Sequence, residues 1–498
     1  LRNAIEGLNA LFNARSIAFV GASNDPGKWG YVILSNLLNG GFTGKIYPVN
    51  PREKHILGLE AFPSIGELPE TPELVIIVIP PSAVAQVIRD SAEKGIKAGV
   101  VITAGFAEVG TDGEQMQEEM AHLARQGGMV LVGPNCNGIM SPFNQLYCTM
   151  PPNYPDPGPF AVIGHSGNVA STVVRNLMSW GLGVSRYVSS GNEADLHMED
   201  YLEFLEQDER TRVILMYMEG IRNGRKFLEV VRRVNRKKPV LALKAGVTPA
   251  GSMAARSHTA AVAGSDHVFN AMCRQAGIIR VQNMTDLVEA GGVFLNQPLP
   301  KSNRLAIVTG GGGAGVLAAD VCAQTGLELS PLSEETLGKL DQVLPPWWPR
   351  SNPVDMVAGI KGDILGILET LLEAPEVDGL IVLGMAGSIL RLAAEAGSAL
   401  GWREITEASR NVFYNGAARV MALKERYKKP VLVAMTMPLV GVHEAAAQLK
   451  DLTRETQTLF YTSPHRAAYA YSLLVQYASV LKKGNGLRGE ARSEFSAA

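Results

Sequence analysis

The sequence has no excess of charge of either sign: 46 basic and 48 acidic residues leave a net charge of −2 over 498 residues. Proteins that hold nucleic acid or an anionic membrane by their surface field carry a basic excess, so no partner of either class is expected. Cysteine is scarce too. Cys136, Cys148, Cys273 and Cys322 are scattered and form no C-x-x-C pair, which excludes a disulfide framework and fits a reducing cytoplasm. The longest apolar run, LVIIVI at 74–79, stops at Pro80-Pro81, well short of the roughly 20 residues that cross a bilayer. The opening LRNAIEGLNALFNARS lacks a basic-then-apolar leader. The eight histidines are dispersed, with no H-x-x-x-H pair on one helix, so no metal site is expected. We therefore expect a soluble, cytoplasmic, non-exported protein whose partners are small molecules or other proteins.

What the chain does have is turn residues, 52 Gly and 28 Pro, set between short β-branched runs and longer helix-compatible stretches. SIAFVG, KIYPVNP, LVIIVIPP, AGVVITAG and MVLVGPN alternate with stretches such as 83–94 and 113–126, the pattern of a parallel sheet with helices on both faces. PFNQLYCTMPPNYPDPGP then breaks the alternation, with five prolines between 151 and 159, and marks a boundary. A second series starts at FAVIGHSGNVAS and runs to GIIRVQN. LNQPLPKSNR at 295–304 ends it, and RLAIVTGGGGAGVLAAD opens a third. The second and third series begin alike, with a strand, a Gly-rich turn and a helix. We expect domains at 1–145, 146–298 and 299–482, with 483–498, polar and small, as a disordered tail.

Three places carry candidate chemistry. In VGASNDPGKWGYVILSNLL, Gly21, Gly27 and Gly30 lie between a strand and a helix, where backbone N–H groups hold phosphate. The spacing is not G-x-G-x-x-G, and the second strand ends on Asn50-Pro51 with Arg52 and Lys54 after it. An acidic residue would be needed there to bond an adenosine ribose. Its absence disfavours NAD and suits NADP or coenzyme A; an ordinary βα turn is the plain alternative. The second place is a pair of helix starts, His165-Ser166-Gly167 and Gly310 to Gly313, each offering free N–H groups and the positive end of a helix dipole to an anion.

The third is His258, alone among small residues in AARSHTAAVAG. A lone histidine is more often structural, but no apolar partner stands beside this one and a loop is where reactive side chains are held. With metal ligation set aside, covalent chemistry on the imidazole remains. His165 is its rival within the chain. Glu219 follows the strand VILMYM, at the carboxyl end where open α/β sheets bind ligands; it either orients an imidazole or is a solvated charge. Trp347 and Trp348 in LPPWWPRSNPVDM are either an apolar contact for a substrate or a loop tip.

Taken together, SIAFVGAS, YPVNP, VIPP, GPNCNGI, HSGNVAS, YMEGI, SHTAAVAG and TGGGGAGVLAAD with NPVD resemble the NDP-forming acyl-CoA synthetases, relatives of succinyl-CoA synthetase, and in particular the α subunits of the ADP-forming acetyl-CoA synthetases. The resemblance covers almost the whole chain. It implies an α/β fold, a Rossmann-like CoA-binding domain followed by two flavodoxin-like, doubly wound domains. It implies a phosphorylated His258 supported by Glu219, with the phosphoryl group between the helix starts at Ser166-Gly167 and Gly311-Gly312. It implies CoA at Gly21, Ser23, Asn50, Pro51, Pro80, Gly105 and Asn135, with Lys54 as a phosphate contact. No ATP-grasp module is recognisable, and GGGGAG lacks the G-K-[ST] ending of a P-loop. The expectation is a separate ATP-grasp β subunit that binds ATP or ADP with Mg2+, a small carboxylic acid as co-substrate, and a hetero-oligomer or homodimer. Two other readings stay open on residues alone: a non-catalytic CoA- or nucleotide-binding regulator of the same fold, and a nicotinamide-dependent oxidoreductase, which Asn50 disfavours.

Overall fold

The structure is a computed structural model and describes residues 4–253, 264–356, 364–384, 419–434 and 450–494. The chain forms two compact units, Leu1–Gly291 and Gly292–Ala498.

The first unit contains two sheets. Strands β1 (Ser16–Val20) and β2 (Lys45–Val49) are followed by a small hairpin, β3 (His55–Ile56) with β4 (Leu59–Glu60), and then by β5 (Leu74–Ile77), β6 (Ala98–Val101) and β7 (Val130–Val132). The first sheet has the order β2-β1-β5-β6-β7, parallel throughout. Every residue of β1, β5, β6 and β7 is buried, as expected of parallel strands covered on both faces. Alternate side chains divide between two cores. Ile17 and Phe19 pack with Leu8 and Leu11 of α1 (Ala4–Phe12) and Ile33 and Leu37 of α2 (Trp29–Asn39). Ala18 and Val20 join Val84 and Ile88 of α3 (Pro81–Glu93) and Met120 of α4 (Thr111–Gln126).

The second sheet is built from β8 (Gly138–Ser141), β9 (Leu146–Thr149), β10 (Pro157–Gly164), β11 (Val184–Ser189), β12 (Val213–Met218), β13 (Val240–Lys244) and β14 (Ile279–Val281), in the order β14-β13-β12-β10-β11-β8-β9. Its five long-crossover strands, β10 to β14, are parallel and run in the flavodoxin-like order 2-1-3-4-5. The β8–β9 hairpin adds an antiparallel edge. The boundary expected at 145/146 falls inside that hairpin. The two sheets form one unit because Ile17 and Phe19 of β1 share an apolar cluster with Ala161 and Ile163 of β10 and Ile214 and Met216 of β12. Among the helices, α5 (Gly167–Ser179), α6 (Met198–Gln207) and α7 (Gly224–Val234) pack on this sheet. In α7 the buried positions are Phe227, Val230, Val231 and Val234, one helical stripe.

The second unit holds β15 (Arg304–Thr309), β16 (Glu328–Leu329), β17 (Val354–Asp355), β18 (Leu380–Leu383) and β19 (Val431–Ala434), ordered β16-β15-β18-β19 with β17 also on β15. The pairs are parallel. The last helix, Pro464–Glu494, continues through the segment expected to be a disordered tail.

Candidate functional site

The residues expected to hold CoA come together at one edge of the first sheet. Gly21 follows β1, Asn50 ends β2, Pro80 follows β5, and Gly105 and Asn135 follow β6 and β7, so all five stand at carboxyl ends. This is where open α/β sheets take ligands, beside the strands at which the winding reverses, here β1 and β5. Gly21 has φ +90, and a Cβ there would lie 2.1 Å from the Val78 carbonyl oxygen; only glycine lets β1 turn this tightly against the chain leaving β5. Asn50 organises the β2 end. Its Nδ2 donates to the Ala22 carbonyl at 2.9 Å, and its Oδ1 accepts from Arg52 N–H at 2.9 Å and Glu53 N–H at 3.3 Å. Ser23 Oγ accepts from Asp25 N–H at 3.0 Å. Pro80 caps α3, with Pro81 in its first turn. Pro51, Arg52 and Lys54 are exposed. Neither Arg52 nor Lys54 has a carboxylate within ion-pair distance among the described residues, so both offer unpaired charge to a phosphate.

The second sheet reverses between β10 and β12, and there the structure sets His165 against Glu219. His165 Nδ1 accepts the Glu219 N–H at 2.9 Å. Its Nε2 faces Glu193 Oε1 at 3.2 Å, an ion-pair distance, although Oε1 makes no in-line hydrogen bond. Both side chains are buried, at 6% and 5% exposure. Burial alone favours the neutral ring, but the Glu193 carboxylate outweighs it and raises the His165 pKa above the ordinary histidine value. The Glu219 N–H works the other way, because a ring protonated at Nδ1 loses that bond. Burial would likewise raise the Glu193 pKa, yet His165 holds it below the usual carboxylate range. With Nδ1 accepting that bond and Nε2 enclosed against Glu193, the neutral His165 ring has no lone pair open to a phosphoryl group.

Glu219 itself is buried, at 3% exposure. Beside it, burial and the Glu219 carboxylate push the Tyr217 phenol up. Met218 pairs in register with Lys244 at the end of β13, and Ala245 N–H donates to the Met218 carbonyl at 2.9 Å. The segment that runs on from Lys244 therefore starts next to Glu219. It turns helical over 249–253, and His258 lies outside the described residues. Ser166 is the N-cap of α5 and makes no side-chain capping bond, so its hydroxyl and the first-turn N–H groups are left to another acceptor. Gly167 is tightly packed: a Cβ would lie 2.2 Å from Asn137 Cγ.

In the second unit, Gly311 caps the helix Gly312–Gln324, and its N–H donates to Thr309 Oγ1 at 3.1 Å. Among the described residues a Cβ on Gly311 or Gly313 would meet nothing within 4 Å, and one on Gly312 only Asp355 Oδ2 at 2.9 Å. The two tryptophans divide: Trp348 is buried and bonds Asp341 Oδ1 at 2.8 Å through Nε1, whereas Trp347 is 70% exposed. Among the described residues no group of three His, Cys, Asp or Glu side chains is arranged to hold a metal ion, and no helix is long and apolar enough to cross a membrane.

Sequence reasoning missed Glu193, Asn192 and Glu108. Within the second series the stretch GVSRYVSSGN ends one residue before Glu193. The available signal was Gly191-Asn192, a turn dipeptide that carries the chain back toward the sheet.

Comparison with known proteins gives a consistent result. A CoA binding domain model matches residues 15–142, a succinyl-CoA ligase like flavodoxin domain model 157–294, and a ligase-CoA domain model 305–394. The chain is 37% identical to the α subunit of acetate–CoA ligase [ADP-forming] II of Pyrococcus furiosus, over 97% of this chain and 100% of that one. It is 30% identical to 4-hydroxybutyrate–CoA ligase [ADP-forming] of Nitrosopumilus maritimus, over 96% of this chain and 65% of that enzyme. Among solved structures, the dinucleotide forming acetyl-coenzyme A synthetase 1 of Ca. Korarchaeum cryptofilum, in complex with phosphate and ADP, superposes with a TM-score of 0.81 at 33% identity, covering 96% of this chain and 99% of that one.

Proposed function

This chain belongs to the α-subunit family of the ADP-forming acetate–CoA ligases, and from that premise we propose that it is the CoA-binding, phosphohistidine-carrying subunit of an ADP-forming acyl-CoA synthetase. The observation that carries the reading is the place of Glu219: buried at the reversal point of the second sheet, with the root of the His258 segment hydrogen-bonded to the residue before it.

In the direction that makes ATP, an oxygen of inorganic phosphate attacks the thioester carbonyl of acyl-CoA. The C–S bond breaks, CoA leaves as the thiolate, and acyl phosphate remains. An imidazole nitrogen of His258 then attacks phosphorus, the bond to the acyl oxygen breaks, and the free carboxylate departs. ADP takes the phosphoryl group from the histidine in the last step. Gly21, Ser23, Asn50, Pro51, Pro80, Gly105 and Asn135 line the CoA edge, with Lys54 for a phosphate. Ser166-Gly167 and Gly311-Gly312 each present helix N–H groups to phosphoryl oxygens, since phosphoryl transfer depends on positioning and preorganised charge relief. Glu219 would hold one nitrogen of the imidazole and leave the other nucleophilic. The relative spanned end to end is itself an α subunit, which supports a separate ATP-grasp partner binding the nucleotide and its Mg2+. The names of the relatives include acetate and 4-hydroxybutyrate enzymes, which supports a short carboxylic acid as substrate.

The test is labelling of the chain by [32P]phosphate in the presence of acetyl-CoA, with His258→Ala beside the wild type. We expect an acid-labile, base-stable label that the variant loses completely. A variant that still takes up label on histidine overturns the assignment.

A further inference from the structure

His165 and Glu193 have no part in the chemistry just described, yet they are among the most enclosed polar groups of the first unit. Glu193 sits in a strained stretch. Its own φ is +53, in the left-handed region that costs a non-glycine residue. Gly191 has φ +60, and a Cβ there would lie 2.3 Å from the Pro134 carbonyl oxygen. Something must hold this stretch in place, and the bonds that do so come from the first sheet. Asn192 and Ala194 N–H groups donate to the Pro134 and Gly133 carbonyls at 2.9 and 3.1 Å. Asn192 Nδ2 donates to Glu108 Oε2 at 2.5 Å, and Glu108 Oε1 accepts the Gly105 N–H at 2.6 Å. Asn135 Nδ2 reaches Asn192 Oδ1 at 3.3 Å. From the other side, Arg222 Nη2 donates to the Asn192 carbonyl at 2.8 Å.

A continuous path of polar contacts thus runs from Gly105 and Asn135, at the CoA edge, through Glu108, Asn192 and Glu193 to His165 and the backbone of Glu219. The imidazole is its last link. Nδ1 accepts from Glu219 N–H, so the ring proton resides on Nε2, facing Glu193. We infer that His165 and Glu193 are positioning residues for the phosphoryl-transfer step. The neutral ring fixes the main chain of Glu219, and the first sheet fixes the ring through the 190–195 stretch. The inference rests on the phosphohistidine reading for its catalytic consequence, but the hydrogen-bonding part stands by itself.

What the site requires of residue 165 is an acceptor for the Glu219 N–H and a polar N–H beside the Glu193 carboxylate, both on one flat group. Glutamine supplies a carbonyl oxygen and an amide N–H; leucine supplies neither. Two measurements on the full chain test this, for the wild type, His165→Leu and His165→Gln. In amide hydrogen exchange, residues 219–222 should exchange about tenfold faster in the leucine variant, the loss expected for one buried hydrogen bond, while β12 keeps its protection. Labelling by [32P]phosphate with acetyl-CoA should slow by about tenfold or more in the same variant, with the Kd for CoA unchanged within about twofold. The glutamine variant should restore both. Unchanged exchange in the leucine variant, unchanged labelling in that variant beside a labelled wild type, or a glutamine variant that behaves like leucine overturns the inference. If the wild type takes no label, it is the phosphohistidine reading that fails, and the exchange comparison still decides the positioning claim.

Discussion

Two helix starts that look interchangeable in the sequence are built in opposite ways. At His165-Ser166-Gly167 the turn is closed in. His165 is buried between Glu193 and the Glu219 main chain, Asn137 stands against Gly167, and Ser171, one turn further on, bonds the buried Tyr187 hydroxyl at 3.1 Å. At Gly310 to Gly313 the turn is open. Among the described residues nothing stands where a side chain on Gly311 or Gly313 would go, and Val316 and Leu317, one turn on, are 61% and 62% exposed. The difference teaches that a Gly-rich strand-to-helix turn does two separable jobs. In the first unit glycine makes room for a neighbour; in the second it leaves the N–H groups clear.

The largest effect should come from filling the closed turn. In Gly167→Ala the new methyl carbon would stand 2.4 Å from Asn137 Cβ as well as 2.2 Å from its Cγ, so rotation of the asparagine does not relieve the clash. We expect a loss of roughly 1–3 kcal/mol, the usual cost of overpacking, read from denaturant unfolding. Asn137→Gly in the same chain should recover most of it. Recovery that fails would place the strain in the α5 backbone, and the contrast between a crowded and an open turn would lose its basis.

A smaller effect separates the turns by titration. The His165 pKa is raised, with burial opposing and the Glu193 carboxylate prevailing. Its contribution is therefore fully present below the unfolded value of about 6.5 and is lost as pH rises through the higher folded value. Glu193, whose pKa is lowered, contributes above the unfolded value of about 4.3 and loses that as pH falls through the folded value. The stability difference between wild type and His165→Gln should accordingly favour the wild type most between these limits and shrink on the alkaline side, where the ring becomes neutral and its Nδ1 accepts the Glu219 N–H. A difference independent of pH from 5 to about 9 would mean that the Glu219 N–H keeps the ring neutral throughout.

The strand-end residues were legible in the sequence because their chemistry is local. Gly21 turns a strand, Asn50 bonds the N–H groups two and three residues on, and Pro80-Pro81 starts a helix, so neighbours in sequence suffice to suggest them. Glu219 was legible by position alone, as the first residue beyond an apolar strand. Glu193 was not: it reaches a histidine 28 positions earlier across the β10–β11 pair, from a left-handed conformation that favours glycine. The merging of the first two sheets was hidden for the same reason. Ile17 and Ile163 read as strand residues of separate series, and only their common core makes them one unit.

The smallest expected change tests the open turn from its own side. Gly313 lies in the first turn of the helix Gly312–Gln324, its φ is not positive, and a Cβ on it would touch nothing within 4 Å among the described residues. Alanine can take that backbone without strain and loses less conformational freedom on folding. Gly313→Ala should therefore stabilise the second unit by roughly 0.5–1 kcal/mol, opposite in sign to Gly167→Ala at the matching turn. The check is a rise in the unfolding midpoint with the Kd for CoA unchanged, because the CoA edge belongs to the first unit. A fall in the midpoint would show that this turn is as crowded as the other, and the two helix starts would then be alike in structure as well as in sequence.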